Sequence, residues 1–148
     1  PEGHPDRAFY GELLREIAEA LIAWRQPDGL WMQVTDQPER PGNYPESSCT
    51  AMFAYAFLKG HRLGIVDGRM ADGARRSVAG LVERYLHGRM NGAALGGICL
   101  MAGLGDINGE FGYRDGSFEY YVGEPVVEND PKGVGPLMMA RAELCRRD

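Results

Sequence analysis

Residues 42–60 read GNYPESSCTAMFAYAFLKG, and the second half of that stretch decides the fold. From Cys49 to Leu58 the positions Ala51, Met52, Phe53, Ala54, Tyr55, Ala56 and Phe57 leave almost no polar side to a helix. A helix that is apolar all round has to be enclosed, and enclosure requires neighbouring helices. The expected span is about Glu46 to His61, entered from Pro45 and closed by Leu63-Gly64.

Working outward, the segments on either side repeat a one-sided pattern. Upstream, from Asp6 to Arg25, Phe9, Leu13, Ile17, Ala20, Leu21 and Trp24 fall at helical spacing opposite Glu12, Arg15, Glu16 and Glu19, the signature of an amphipathic, half-exposed helix. The run Gln26-Pro27-Asp28-Gly29 ends it. Downstream, Ala74, Val78, Leu81, Val82 and Tyr85 against Arg75, Arg76, Glu83 and Arg84 predict a second half-exposed helix over about Met70 to Leu86. Between His87 and Asp130 periodicity gives way to glycine-rich sequence, too long for an idle connection, with short β pieces expected around Phe118–Tyr121 and Pro125–Val127. Asp130 followed by Pro131 starts the last, mostly apolar helix.

The order is therefore outer helix, loop, inner helix, outer helix, long loop, inner helix. That is an all-α chain of two αα-hairpins, each with one helix outside and one inside, as in an α/α toroid. Two hairpins cannot close a ring, so apolar flanks are expected to be covered by further barrel segments on the N-terminal side or by self-association.

Composition narrows the class further. The 148 residues fit one domain, residues 1–148, with 44% apolar and 25% charged positions. A net charge of −5 without a Lys/Arg cluster argues against nucleic acid as a partner. Cys49, Cys99 and Cys145 have no metal-ligand spacing, and His4, His61 and His87 lie far apart, so no metal and no cofactor are expected. No apolar run reaches membrane-spanning length, so no membrane partner is expected. The chain begins at Pro1 inside a loop-like PEGHPD stretch, from which the natural start is expected upstream.

Four strings then carry a resemblance. GLWMQV from Gly29, GNYPESSCTAMFAYAFLKG from Gly42, LGGICLMAGLG from Leu95 and YRDGSFEYYVGEPVVENDPKGVGP from Tyr113 resemble, in the same order, glycoside hydrolase families 88 and 105. The likeness is greatest to the unsaturated rhamnogalacturonyl hydrolases of family 105. Met32 and Pro45 depart from it, standing where a bulkier aromatic and an aliphatic residue are expected. The resemblance implies the C-terminal part of an (α/α)6 barrel from a cytoplasmic enzyme of pectin breakdown. Such an enzyme removes unsaturated galacturonic acid from rhamnogalacturonan oligosaccharides. An aspartic acid protonates the C4–C5 double bond, water adds at C5, and the hemiketal rearranges. In the family that aspartate lies in an earlier hairpin, and its motif does not appear here, so no catalytic residue is assigned and the chain is expected to be inactive alone. The alternative is a non-catalytic relic of the same fold that binds a uronate sugar or another protein.

In such barrels the loops leading into the inner helices line the pocket. The first loop offers Trp31, Gln33, Tyr44, Glu46 and Ser47: an aromatic face for stacking and polar groups for sugar hydroxyls or a uronate. Trp31 could equally pin the loop to the barrel, and Glu46 or Ser47 could cap the helix. The second loop offers Gly105, Arg114 and Tyr120, with Arg114 able to grip a carboxylate with two prongs. A turn salt-bridged between Arg114 and Asp115 is the competing reading. Lys132 at the start of the last helix and His61 at the end of the first inner helix are read as solvated and structural respectively. Should an acid be needed, Glu46 and Asp115 are the ones to test.

Overall fold

The computed structural model describes residues 3–106 and 112–146. Four long helices dominate: α1 (Arg7–Ile22), α2 (Ser47–Arg62), α3 (Gly68–Tyr85) and α5 (Pro131–Cys145), with a short α4 (Phe118–Gly123) between the last two. Two antiparallel ribbons decorate them: β1 (Leu86–Arg89) with β2 (Gly92–Leu95), and β3 (Ile98–Cys99) with β4 (Val126–Val127). The helix order matches the expected pair of hairpins. α2 packs against both α3 and α5, while α1 lies on α3, so α2 and α5 are the inner pair and α1 and α3 the outer pair.

Local chemistry sets the helix starts. Asp67 accepts from the Met70 amide at 3.2 Å to begin α3, and Asp130 accepts from the Lys132 amide at 2.9 Å ahead of Pro131 to begin α5. The core then forms from Phe57 and Leu58 of α2, Met70, Val78 and Leu81 of α3, and Leu137 and Ala140 of α5. At the far ends of the inner pair, Arg62 forks onto Glu143 at 2.7 and 3.0 Å.

Three features differ from the sequence expectation. Phe118–Tyr121 is not extended but helical: Ser117 Oγ caps the Tyr120 amide at 3.1 Å, and burial of Phe118 holds the turn down. The hairpin β1–β2 grows where only loop was expected, continuing from the end of α3. The third difference is on α1. Its face toward the fold is made by Gly11, Leu14, Ala18, Leu21 and Ile22, whereas Phe9, Leu13, Ile17 and Trp24 stay 65, 40, 46 and 44% exposed. Most of the stripe that the spacing picked out points into solvent, and of its large residues only Leu21 packs on the core, beside Leu14 and Ile22.

Candidate functional site

Both long loops converge on the N-terminal ends of α2 and α5. The first is anchored by Trp31. Its indole Nε1 donates to the Leu21 carbonyl at 2.8 Å, its amide donates to Thr50 Oγ1 at 3.1 Å, and Phe53 and Phe57 pack edge-on around the ring. Trp31 is 0% exposed, so no ring face is left for a sugar, and the loop-pinning role is the one the geometry realises. Asn43 folds the rest of the loop by donating to the carbonyls of Val34 and Gln37, both at 2.8 Å.

Glu46 is the junction between the loops. The residue is 2% exposed, and its carboxylate accepts from the Cys49 amide at 2.6 Å, the Cys99 amide at 2.9 Å and the Ser48 hydroxyl at 2.9 Å. It therefore caps α2 and ties β3 to that cap, with its oxygens engaged by protein donors. Ser47 is equally enclosed: its hydroxyl donates to the Gly96 carbonyl at 2.7 Å. Gln33 reaches across, its amide nitrogen 3.2 Å from both Cys99 Sγ and the Tyr121 carbonyl. The Tyr44 hydroxyl is buried without a hydrogen-bond partner. Burial first, and then the neighbouring Cys99 and Glu46, push its phenol well above the ordinary range. Burial also raises the Cys49 thiol, which suits an inert core cysteine.

The second loop is more open. Gly105 and Arg114 form a small antiparallel bridge, with the Gly105 amide donating to the Arg114 carbonyl at 2.8 Å. The Arg114 guanidinium folds back on it, Nε donating to the Gly105 carbonyl at 3.1 Å and Nη1 lying 4.0 Å from Met101 Sδ. Arg114 is only 8% exposed, yet among the described residues it forms no ion pair. The Arg114–Asp115 bridge is absent because Asp115 accepts instead from the Ser117 amide at 2.9 Å, which also lowers its pKa below the ordinary carboxylate value. Gly103 lets the guanidinium lie close, since a Cβ on it would sit 2.8 Å from Arg114 Nη1 and displace that side chain. Its amide donates to the Tyr120 hydroxyl at 3.2 Å, which places Tyr120 against the same turn. Lys132 is not a free solvated cation: its Nζ donates to the Leu100 carbonyl at 2.5 Å and lies 3.2 Å from Asp130. His61 keeps a structural place, Nδ1 3.3 Å from the Val66 carbonyl. The sequence marks the loop from Asp106 as unusually long, but residues 107–111 of that insertion lie outside the described residues.

The profile of Glycosyl Hydrolase Family 88 matches residues 1–148. The chain belongs to that family. A glycoside hydrolase of family 105 from C. acetobutylicum superposes with a TM-score of 0.87 at 39% identity, over 97% of this chain and 39% of that one. The fold is thus a part of the family's (α/α)6 toroid. The "24.9 kDa protein in picA locus" of Rhizobium radiobacter is 47% identical over 147 residues, covering 94% of this chain and 62% of the relative. An "Unsaturated 3S-rhamnoglycuronyl hydrolase" of Alteromonas sp. is 31% identical over 93 residues, 62% of this chain and 22% of that protein. The chain spans under two thirds of the length of the curated relatives it matches.

For this family 88 chain the structure also supplies contacts the sequence did not signal. Arg40, at the tip of the first loop, lies 3.9 Å above the Phe118 ring and pairs with Glu119 at 2.5 Å, joining the tip to α4. Tyr85, at the end of α3, donates its hydroxyl to the Pro45 carbonyl at 2.7 Å and packs over Gly97. Neither pairing has a local signature, because each joins residues far apart in sequence. Among the described residues no group of His, Cys, Asp and Glu is arranged to hold a metal. Among the described residues no helix is long and apolar enough to cross a membrane.

Proposed function

We propose that this chain forms one wall of the sugar pocket of an unsaturated rhamnogalacturonyl hydrolase of pectin breakdown, with Arg114 gripping the carboxylate of an unsaturated uronic-acid oligosaccharide. The observation that carries this reading is Arg114 itself. A guanidinium 8% exposed, without an ion pair among the described residues and set among glycines, is costly unless an anion meets it. Tyr120 beside it and Gln33 on the facing loop supply further hydrogen-bonding groups within the same end of the fold. Trp31, Glu46 and Ser47 act behind this wall, holding the loops, and Tyr44 backs them with its buried ring. Glu46 and Asp115, the acids first in line for proton transfer, are both engaged by backbone amides, Glu46 as the cap of α2 and Asp115 in the turn before α4, which supports a catalytic acid from outside residues 1–148 and an inactive isolated chain. A cytoplasmic location belongs to the same reading and rests on the family resemblance.

The test is a titration of the chain with galacturonate and, separately, galactose, following the amide resonances of Gly103, Gly105 and Tyr120. Shifts with galacturonate alone, lost in Arg114→Met, are expected. Equal shifts with both sugars would overturn the carboxylate assignment. The claim of inactivity is checked by incubating the chain with an unsaturated rhamnogalacturonan disaccharide, where loss of the double-bond absorbance would sink it.

A further inference from the structure

The arginines of α3 fall into two kinds. Arg69 meets Glu19 at 2.5 Å, Arg75 approaches Asp72 at 4.0 Å and Arg84 lies 3.7 Å from Asp28. Arg76 has no acid partner among the described residues, and neither has Arg25, which stands near it just beyond the end of α1. Arg25 is half-buried, and its Nη1 is enclosed without a hydrogen-bond partner. The enclosure comes from α3: the guanidinium lies so close to Gly73 that a Cβ there would collide with Nη1. Burial first, and then the charge of Arg76, lower the pKa of Arg25. We infer that Arg25 and Arg76 together hold a small oxyanion of the sulfate or phosphate class in the seam between α1 and α3.

The C-terminal end of α1 would ordinarily satisfy such a cation with its free carbonyls. Here those carbonyls are taken. Leu21 accepts from the Trp31 indole at 2.8 Å and the Trp24 amide at 3.0 Å, Ile22 accepts from the Arg25 amide at 3.4 Å, and Trp24 accepts from Gln26 at 3.0 Å. An enclosed guanidinium nitrogen beside a second cation is costly, and a bound anion turns that repulsion into attraction. Two fixed positive charges match a dianion better than a single carboxylate, and the guanidinium fork suits tetrahedral oxygens. The walls of the seam come from this chain. The Glu19–Arg69 pair crosses it on one side of Gly73, and on the other the turn after Arg25 packs along α3, Gly29 against the Arg76–Ser77 backbone and the Asp28 carbonyl against Gly80. It lies between two outer helices rather than at either flank of the hairpin pair, so further barrel segments adjoin it without replacing a wall. The inference stands apart from the sugar reading and uses none of the loop residues that reading invokes.

The experiment titrates the chain with sodium sulfate and with inorganic phosphate, against sodium chloride at matched ionic strength, following heat and the amide resonances of Gly73 and Arg76. Saturable binding of both dianions with shifts at Gly73 is expected. Arg76→Gln, at an exposed position that leaves the circular dichroism spectrum unchanged, should weaken it on the order of tenfold. Arg25→Gln should remove it, and Arg114→Met should leave it as it is. Glycerol phosphate, compared with inorganic phosphate, separates the two sources of the group: binding of either with the same dependence on Arg76 supports the site, and the tighter one identifies whether a free ion or an ester is its ligand. Sulfate and phosphate acting no differently from chloride overturns the inference. So do shifts at Gly73 that survive Arg76→Gln undiminished.

Discussion

The two loops that lead into the inner helices are built from similar residues and end up in opposite states. The Trp31–Ser47 loop sinks its aromatic and acidic groups into the body: Trp31 and Ser47 are 0% exposed and Glu46 2%. The Gly103–Glu124 loop keeps Tyr113 78% exposed and Leu104 65% exposed, and it buries Arg114, which forms no ion pair among the described residues. The difference teaches that residue type alone does not mark a sugar contact. What separates the loops is whether each polar group already has its partners inside the protein.

The largest expected break in this comparison is at Trp31. Truncation by Trp31→Ala opens a void between Phe53 and Phe57 and frees the loop, with an expected loss of about 3–5 kcal/mol in chemical unfolding. Galacturonate binding would fall only in proportion to unfolding. Next comes Glu46→Ala, which leaves the amides of Cys49 and Cys99 without their acceptor; a loss of about 2–3 kcal/mol is expected. Amide exchange should accelerate at Cys99 together with Cys49, linking the two loops through one side chain.

A smaller effect distinguishes a buried group that has partners from one that has none. Removing the Tyr44 hydroxyl by Tyr44→Phe deletes a buried polar atom whose nearest polar neighbour is the weakly bonding Cys99 thiol, so stability should change by less than about 1 kcal/mol, in the stabilising direction. A clear loss would mean that the hydroxyl has a partner after all. The smallest effect is that of acid. Asp115 and Asp130 are held below their ordinary pKa by the amides of Ser117 and Lys132. Because the folded values are depressed, their contribution is present above the unfolded carboxylate pKa and is lost as pH falls through the folded one. Protection of the Ser117 and Lys132 amides, measured against their intrinsic exchange at each pH, should therefore fall on acidification below about pH 4, while the Trp31 amide, bound to a threonine hydroxyl, keeps its protection.

Much of the fold was legible because its signals are local. Asp130-Pro131 announced the start of α5 and the apolar run announced α2, since capping and periodicity depend only on near neighbours in sequence. Glu46 was readable as a cap for the same reason. The direction of α1 was not. Its stripe at Phe9, Leu13, Ile17 and Trp24 is as regular as any core face, and only the tertiary packing reveals that Gly11 and Ala18 are the buried positions. The helix α4 was missed because Tyr120, Tyr121 and Val122 favour strands, and what overrides that preference is the Ser117 cap together with burial of Phe118.

By itself the sequence determined the four long helices, their inner and outer character, the family and the two loops that carry candidate chemistry. Only the tertiary structure decided which of those loop residues are sealed in and which stay open. Burial and hydrogen-bond partnership arise between residues distant in sequence, as when Glu46 meets the Cys99 amide or Trp31 the Leu21 carbonyl, and no local pattern records such meetings.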